Sequence, residues 1–195
     1  MAKIKSTKSG FFIGFDMDGV IIDHTVSKLK LAEKFGFKLK PEETHSEVIK
    51  TLIKDNLLRE IQYTLYHDPD FYKSSSLMNG AKDGLKLIKK QNLPFVLISR
   101  RRDPKIAIKT LKFHGLWPKI FNSKNTFFVS KPEDKNVKAK KLGVTHYIDD
   151  QIDVLEKLVD VKNRFLFDNL DVFSAFGGKN TRGYIRIKSW KELIE

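Results

Sequence analysis

Six short, nearly continuous apolar runs, most of them separated by helical patterns, constrain this chain more than any other feature. The runs are Phe11–Phe15, Phe95–Ile98, Phe127–Val129, His146–Ile148, Arg164–Phe167 and Tyr184–Ile187. Such runs suit strands that are covered on both faces. The segments between them carry helix punctuation. Asp103 is placed to cap a helix with Pro104 at its first position and Gly115 just past its end, so a helix is expected over 104–114. Another is expected over 136–142, stopped by Gly143, and another over 80–91. Ser189-Trp190-Lys191-Glu192 matches a capping box that opens a short last helix. Residues 169–183 read as irregular. Strands alternating with helices predict an α/β fold, a doubly wound Rossmann-like parallel sheet with right-handed crossovers.

Residues 24–76 break the alternation. Leu29, Leu31, Ala32 and Phe35 run up to a Gly36 stop, and Val48, Ile49, Leu52, Ile53, Leu57, Leu58 and Ile61 recur at roughly helical spacing. Ser74-Ser75-Ser76 reads as a return linker. The expected organisation is a core of residues 1–23 and 77–195 with a small all-helical cap, residues 24–76, inserted between them. Because the insertion follows Asp18 directly, it is expected to sit over the sheet edge as a lid. Its aromatic residues Tyr63, Tyr66, Phe71 and Tyr72 either line a pocket for a base or sugar or form the lid's own core.

Composition narrows the chemistry. The chain has no cysteine, which removes disulfides, thiol catalysis and Cys-ligated zinc. The five histidines are scattered without an H-x-x-x-H pair, against a His-based zinc site. No apolar stretch approaches the ~20 residues that span a membrane. The N-terminus is basic, but its apolar run is too short for a signal-peptide core and leads into Asp16, so a cytoplasmic location is expected. With 37 Lys+Arg against 24 Asp+Glu the net charge is +13, a field that favours anionic partners. The lysines are spread along the whole chain, so a small phosphorylated substrate is favoured over nucleic acid. A general compositional bias toward Lys, Phe, Ile and Asn is the plainer source of the charge.

The first run ends in Asp16-Met17-Asp18-Gly19-Val20. In an extended chain residues i and i+2 point to one side, so Asp16 and Asp18 can face one atom, and Gly19 permits a tight turn. In open α/β sheets ligands bind at the strands' C-terminal edge. Other ends of runs supply further chemistry. Phe95–Ile98 delivers Ser99, the loop after Val129 reaches Lys135, and His146–Ile148 delivers Asp149 and Asp150, with Asp153 beyond.

These stretches, in this order and across most of the chain, resemble the haloacid dehalogenase (HAD) superfamily. Asp16–Val20 is similar to its nucleophile loop and Ser99 to its hydroxyl motif. Lys135 is similar to its lysine motif, and Ile148–Asp153 to its acidic motif. Lys131-Pro132 also resembles a lysine form of the family, but Lys135 is preferred because it opens the helix leading to the acidic strand.

The resemblance implies a Mg²⁺-dependent phosphatase. Asp16 would attack phosphorus to form an aspartyl-phosphate, and Asp18 would serve as acid/base. Ser99 and Lys135 would hold the phosphoryl oxygens. The metal would take Asp16, Asp149, the Asp18 backbone carbonyl, and Asp150 directly or through water. Asp153 reads as a residue supporting the metal shell or as an acid at a helix start. Gly19, Arg100 and His24 are the expected substrate contacts. Arg100-Arg101-Arg102 reaches a second anionic group on the substrate or is a solvated charge run. His24 touches substrate or makes a hinge hydrogen bond. A small phosphomonoester is the expected substrate. The competing readings are a phosphatase for nucleotides or nucleic-acid ends, a phosphomutase, and an inert phosphate-binding relative.

Overall fold

The computed structural model describes residues 10–101, 103–175 and 183–194. Arg102, the basic N-terminal stretch before residue 10, and Gly177-Gly178 lie outside these residues.

β1 (Ile13–Phe15) leads through a tight turn to β2 (Ile22–Asp23). Four helices follow: α1 (Thr25–Lys34), α2 (Ser46–Leu52), α3 (Asp55–His67) and α4 (Pro69–Ser74), with a 3-10 turn at Pro41–Thr44. The chain returns through β3 (Ser76–Leu77) and α5 (Ala81–Lys90). It then alternates: β4 (Phe95–Arg100), α6 (Lys105–Phe113), β5 (Thr126–Val129), α7 (Pro132–Leu142), β6 (His146–Asp149), α8 (Ile152–Lys157), β7 (Asn163–Phe167), α9 (Val172–Ala175), β8 (Ile185–Ile187) and α10 (Trp190–Ile194).

Six strands form one parallel sheet in the order β5-β4-β1-β6-β7-β8. The chain builds outward from β1 on one side through β4 and β5, then crosses back to β6 and builds the other side. The reversal opens a crevice at the C-terminal ends of β1 and β6, where open α/β sheets take their ligands. Two buried apolar clusters cover the sheet, one around Phe15, Leu97, Ile148 and Trp190, the other around Val96, Ile98, Tyr147 and Leu166. Trp190 is fully buried, stacks on Phe15 at 5.3 Å and donates its indole N–H to the Val20 carbonyl at 2.7 Å. The last short helix thereby braces the loop that follows β1.

The helical insertion has its own small core of Leu31, Ala32, Ile49, Ile53, Leu58, Ile61 and Leu65. At its base β2 and β3 pair antiparallel, Ile22 opposite Leu77 and Asp23 opposite Ser76. The expected serine linker is therefore partly structured: Ser74 ends α4 and Ser76 is a strand residue. These two-residue strands are too short to show periodicity.

Other boundaries also moved. The 104–114 helix begins at Lys105, though Asp103 still accepts the Lys105 amide N–H at 2.9 Å. The helix expected from residue 136 begins at Pro132, where proline's missing N–H costs nothing. Ser189 Oγ accepts from the Glu192 amide at 3.2 Å, while the Glu192 carboxylate reaches Lys188 N–H, one residue before the cap. Residues 172–175 of the segment expected to be irregular form α9, whose first amides Val172 and Phe173 donate to Asp168.

Candidate active site

Parallel pairing brings the motif residues together. Phe15 stands beside Leu97 on one side and Ile148 on the other, so Asp16 leaves the sheet next to the Asp149 end of β6. The Asp16 amide donates to the Ile148 carbonyl at 3.0 Å. One carboxylate oxygen from each of Asp16, Asp149 and Asp150 lies within 4.8 Å of the others, all three residues buried. Lys135, in the first turn of α7 and 2% exposed, extends into the same crevice. Its ammonium donates to Asp149 Oδ2 at 2.8 Å and stands 3.0 Å from Asp16 Oδ1. The Asp16 contact lies off the hydrogen-bonding direction, so that oxygen has no hydrogen bond. Ser99 is buried at the end of β4 and lines the same cleft. Lys131 caps α7 and does not line it.

Three carboxylates buried together disfavour one another's charge, and the ammonium groups of Lys135 and Lys28 offset only part of that cost. Burial, with Asp16 adding to it, pushes Asp149 up to about 6. Burial and then Asp149 and Asp16 drive Asp150 well above the usual carboxylate range. Burial also opposes the charge on Lys135, but Asp149 and Asp16 outweigh it and hold that group well above the ordinary lysine value. Asp16 Oδ1 and Asp150 Oδ1 are buried without a hydrogen-bond partner. Unpartnered hard oxygen donors at this separation fit a small divalent cation, with Asp16, Asp149 and Asp150 as its ligands.

The Asp18 carboxylate stands apart from this set. His24 Nε2 lies 2.7 Å from Asp18 Oδ1, and the Arg101 guanidinium donates to Oδ2. Burial would raise Asp18, but Arg101 and then His24 hold it well below the usual carboxylate range. Arg101 also lies over the Tyr66 ring of α3, 3.8 Å from its centroid, so one guanidinium ties the sheet edge to the insertion.

The expected substrate contacts separate. Arg100 is exposed and lines a cleft of about 570 Å³ together with Asp16, Asp18, Ser99 and Lys135. Gly19 and His24 do not line it; they border a smaller cavity behind Asp18. Gly19 has φ +80°, and a Cβ there would meet the Asp150 carboxyl at 2.5 Å, so the glycine lets the loop lie against that side chain. Asp153 sits in the first turn of α8, with Lys50 of α2 at 3.6 Å. The aromatic run divides as well. Tyr63 is exposed on the cleft wall and Tyr66 carries Arg101, while Phe71 packs on the insertion's core and Tyr72 stands edge-on to Phe113.

Sequence reasoning missed four groups. Arg101 was merged into a basic triplet, although Ser99 and Arg101, two apart at a strand end, share a side. Lys28 donates to the Thr44 carbonyl at 3.0 Å, with Asp150, Asp18 and Asp23 as its electrostatic neighbours. His45 Nε2 lies 3.9 Å from Asp150 Oδ2, and burial followed by Lys28 lowers its pKa to about 4. Arg59 joins the cleft wall from α3. Lys28, His45 and Arg59 approach only because the insertion folds over the sheet edge, and no local pattern announces them.

A switch-point crevice with a buried carboxylate cluster and a lysine can take a cation and an anionic group together, and comparison with known proteins puts the chain among HAD-like hydrolases of the phosphatase and nucleotidase class. Solved structures share the fold. A HAD-family hydrolase from Deinococcus radiodurans R1, crystallised with bound phosphate and sodium, superposes with TM-score 0.62 at 16% identity, covering 95% of this chain and 94% of its own. A family IA, variant 3 HAD hydrolase from Entamoeba histolytica gives 0.59 at 18%, covering 94% and 95%. A HAD-superfamily hydrolase from Ehrlichia chaffeensis gives 0.55 at 13%, covering 96% and 95%. No curated protein matches the sequence. The model of one family, 5′ nucleotidase, deoxy (pyrimidine), cytosolic type C protein (NT5C), matches residues 10–195, and the chain belongs to that family. Among the described residues no helix is long and apolar enough to cross a membrane.

Proposed function

We propose that this protein hydrolyses a small phosphomonoester, a nucleoside 5′-monophosphate in the first instance, through an aspartyl-phosphate on Asp16. The observation that carries this reading is the meeting of Asp16, Asp149 and Asp150 around Lys135 at the crevice beside β1. The nucleotide as substrate class is supported by the family match. The same family's cytosolic type supports a cytoplasmic place of action.

Asp16 attacks phosphorus while the alcohol oxygen leaves, and water then cleaves the acyl phosphate to regenerate the carboxylate. Lys135 and Ser99 hold the phosphoryl oxygens, so that charge developing on them meets fixed donors instead of reorganising water. A bound Mg²⁺, held by Asp16, Asp149, Asp150 and the Asp18 backbone carbonyl, would neutralise part of the phosphoryl charge. Asp18 protonates the leaving oxygen and later accepts a proton from the attacking water. Its ties to Arg101 and His24 favour the ionised form, the one needed in the second half-reaction. In the first half-reaction it must hold a proton against the pull of Arg101. Gly19 and His24 act by positioning Asp150 and Asp18 rather than by touching substrate.

The test is phosphate release from thymidine 5′-monophosphate and p-nitrophenyl phosphate with Mg²⁺, in the wild type and in Asp16→Asn. Turnover by the wild type that disappears in the variant, with an unchanged circular dichroism spectrum, is the expected result. Undiminished release by Asp16→Asn would refute the nucleophile assignment.

A further inference from the structure

Arg59, Gln62, Tyr63, Tyr66 and His67 recur along α3 at i, i+3, i+4, i+7 and i+8, so they share one helix face. The other face, carrying Leu58, Ile61 and Leu65, is buried in the insertion's own core. The polar and aromatic face forms one wall of the 570 Å³ cleft that reaches Asp16, Ser99 and Lys135.

Four of the basic side chains on this cleft divide into two kinds. Lys135 is neutralised by Asp149 and Asp16, and Arg101 by Asp18. Arg59 and Arg100 are exposed, and among the described residues neither has a carboxylate within salt-bridge distance. Asp103 is the remaining acid on the cleft wall, and its carboxylate already accepts the Lys105 amide at the start of α6. On the same helix face as Arg59 the Tyr63 ring, 66% exposed, stacks on His67 with centroids 4.3 Å apart. His67 Nδ1 is engaged with the Tyr63 carbonyl at 2.9 Å, which fixes the imidazole on that face. The cleft thus offers a planar, solvent-facing pair together with two guanidinium groups that have no carboxylate partner among the described residues. In the proposed function the transferring phosphoryl group falls to Lys135 and Ser99, with a cation that Asp16, Asp149 and Asp150 would hold, and neither arginine has a part in holding it.

We propose that Arg59 and Arg100 form a subsite for a second phosphate that is not transferred. The preferred substrates then carry two phosphate groups on one nucleoside-sized scaffold, with the hydrolysed group over Asp16 and the other between the two arginines. The proposal rests on the phosphatase reading for the identity of the first group. A guanidinium binds phosphate oxygens bidentately and stays charged at any working pH. Uncommitted cations at a cleft mouth also raise the local concentration of multiply charged anions, in keeping with the net charge of +13. Two sources share this chemistry: a nucleoside 3′,5′-bisphosphate, and a 5′-phosphorylated dinucleotide whose second phosphate is a diester.

The test separates binding from turnover. In the Asp16→Asn protein with Mg²⁺, calorimetry compares thymidine 3′,5′-bisphosphate, thymidine 5′-monophosphate and 5′-phosphorylated dithymidine. The bisphosphate is expected to bind roughly tenfold tighter than the monophosphate. Adding Arg59→Gln and Arg100→Gln, both at exposed positions and checked by thermal melting, is expected to bring that ratio within about twofold. A gain shared by the dinucleotide identifies a subsite that accepts a diester, and a gain confined to the bisphosphate identifies one that requires a terminal phosphate; each supports the subsite. Equal binding of mono- and bisphosphate, or a preference that survives the double substitution, overturns it. A wild-type protein that releases no phosphate from any of the three would sink the phosphatase reading while leaving this binding ratio readable.

Discussion

Replacing Lys135 by methionine tests the electrostatics of the whole site. The side chain stays unbranched and keeps most of its length but loses the only ammonium that contacts both Asp16 and Asp149 among the described residues. Carboxylate oxygens at most 4.8 Å apart repel by at least about 3.5 kcal/mol per ionised pair at an effective dielectric near 20. The ammonium, at 2.8 and 3.0 Å from two of them, attracts each by roughly 5–6 kcal/mol on the same scale. Breaking such a buried arrangement by removing one partner costs about 3–5 kcal/mol. For a chain of this size that corresponds to a melting temperature lower by roughly 6–20 °C. The sign with pH follows from Asp149, raised to about 6 even with Lys135 present. Without the lysine, Asp149 takes up its proton at still higher pH, so the folded variant binds more protons than its unfolded chain. Its stability therefore improves as the pH falls from about 8 to about 5. The assay is thermal unfolding of wild type and Lys135→Met at both values in metal-free buffer, repeated with Mg²⁺. The deficit is expected to be larger at the higher pH, and Mg²⁺ is expected to raise the variant's melting temperature more than the wild type's. A variant melting within about 2 °C of wild type at the higher pH, or one whose deficit is equal at both, would refute this account.

Other perturbations probe separate parts of the structure. His45, lowered to about 4 by burial, stays neutral in the fold while its unfolded form protonates near 6.5. It therefore costs up to about 3 kcal/mol of stability as the pH falls from 6.5 to 4. Urea titrations of His45→Gln should show a shallower acid decline than wild type, and parallel curves would contradict this. Gly84→Ala adds a Cβ 2.5 Å from the Trp190 ring, which is fully buried. Overpacking of about 1–3 kcal/mol should outweigh the ~1 kcal/mol gained in helix propensity, so a raised melting temperature would show that Trp190 gives way. The Mg²⁺ needed for half-maximal activity should rise as the pH drops through about 6, because a proton then competes for Asp149. A Mg²⁺ requirement that is flat across that range would remove Asp149 from the metal shell.

The legible parts of this protein were those with local causes. Strands covered on both faces need continuous apolar runs, and Phe95–Ile98 and His146–Ile148 announced β4 and β6 in that way. Pro104, Gly115 and Gly143 punctuate the chain by their own backbone preferences and marked helix ends to within a residue. Asp16, Ser99 and Asp149 could be placed at the sheet edge because each stands at the end of an apolar run, whereas Lys135 was expected to open a helix at 136 and instead lies inside the first turn of α7, which starts at Pro132. The two-residue strands β2 and β3 were not readable, since a ribbon that short has no period. Nor was α9, a four-residue helix whose first amides are satisfied by Asp168 from outside it.

By itself the sequence determined the alternating α/β architecture, the helical interruption after Asp18 and the identity of the carboxylates at the strand ends. All of these follow from periodicity and residue type within short windows. Only the tertiary structure decided what those carboxylates face. Arg101 and His24 turned toward Asp18, Lys28 and His45 came down beside Asp150, and Arg59 was brought onto the cleft that Arg100 also lines. These encounters join residues of two separately cored parts of the chain. Electrostatic partners chosen by how one part folds over another leave no trace in local order.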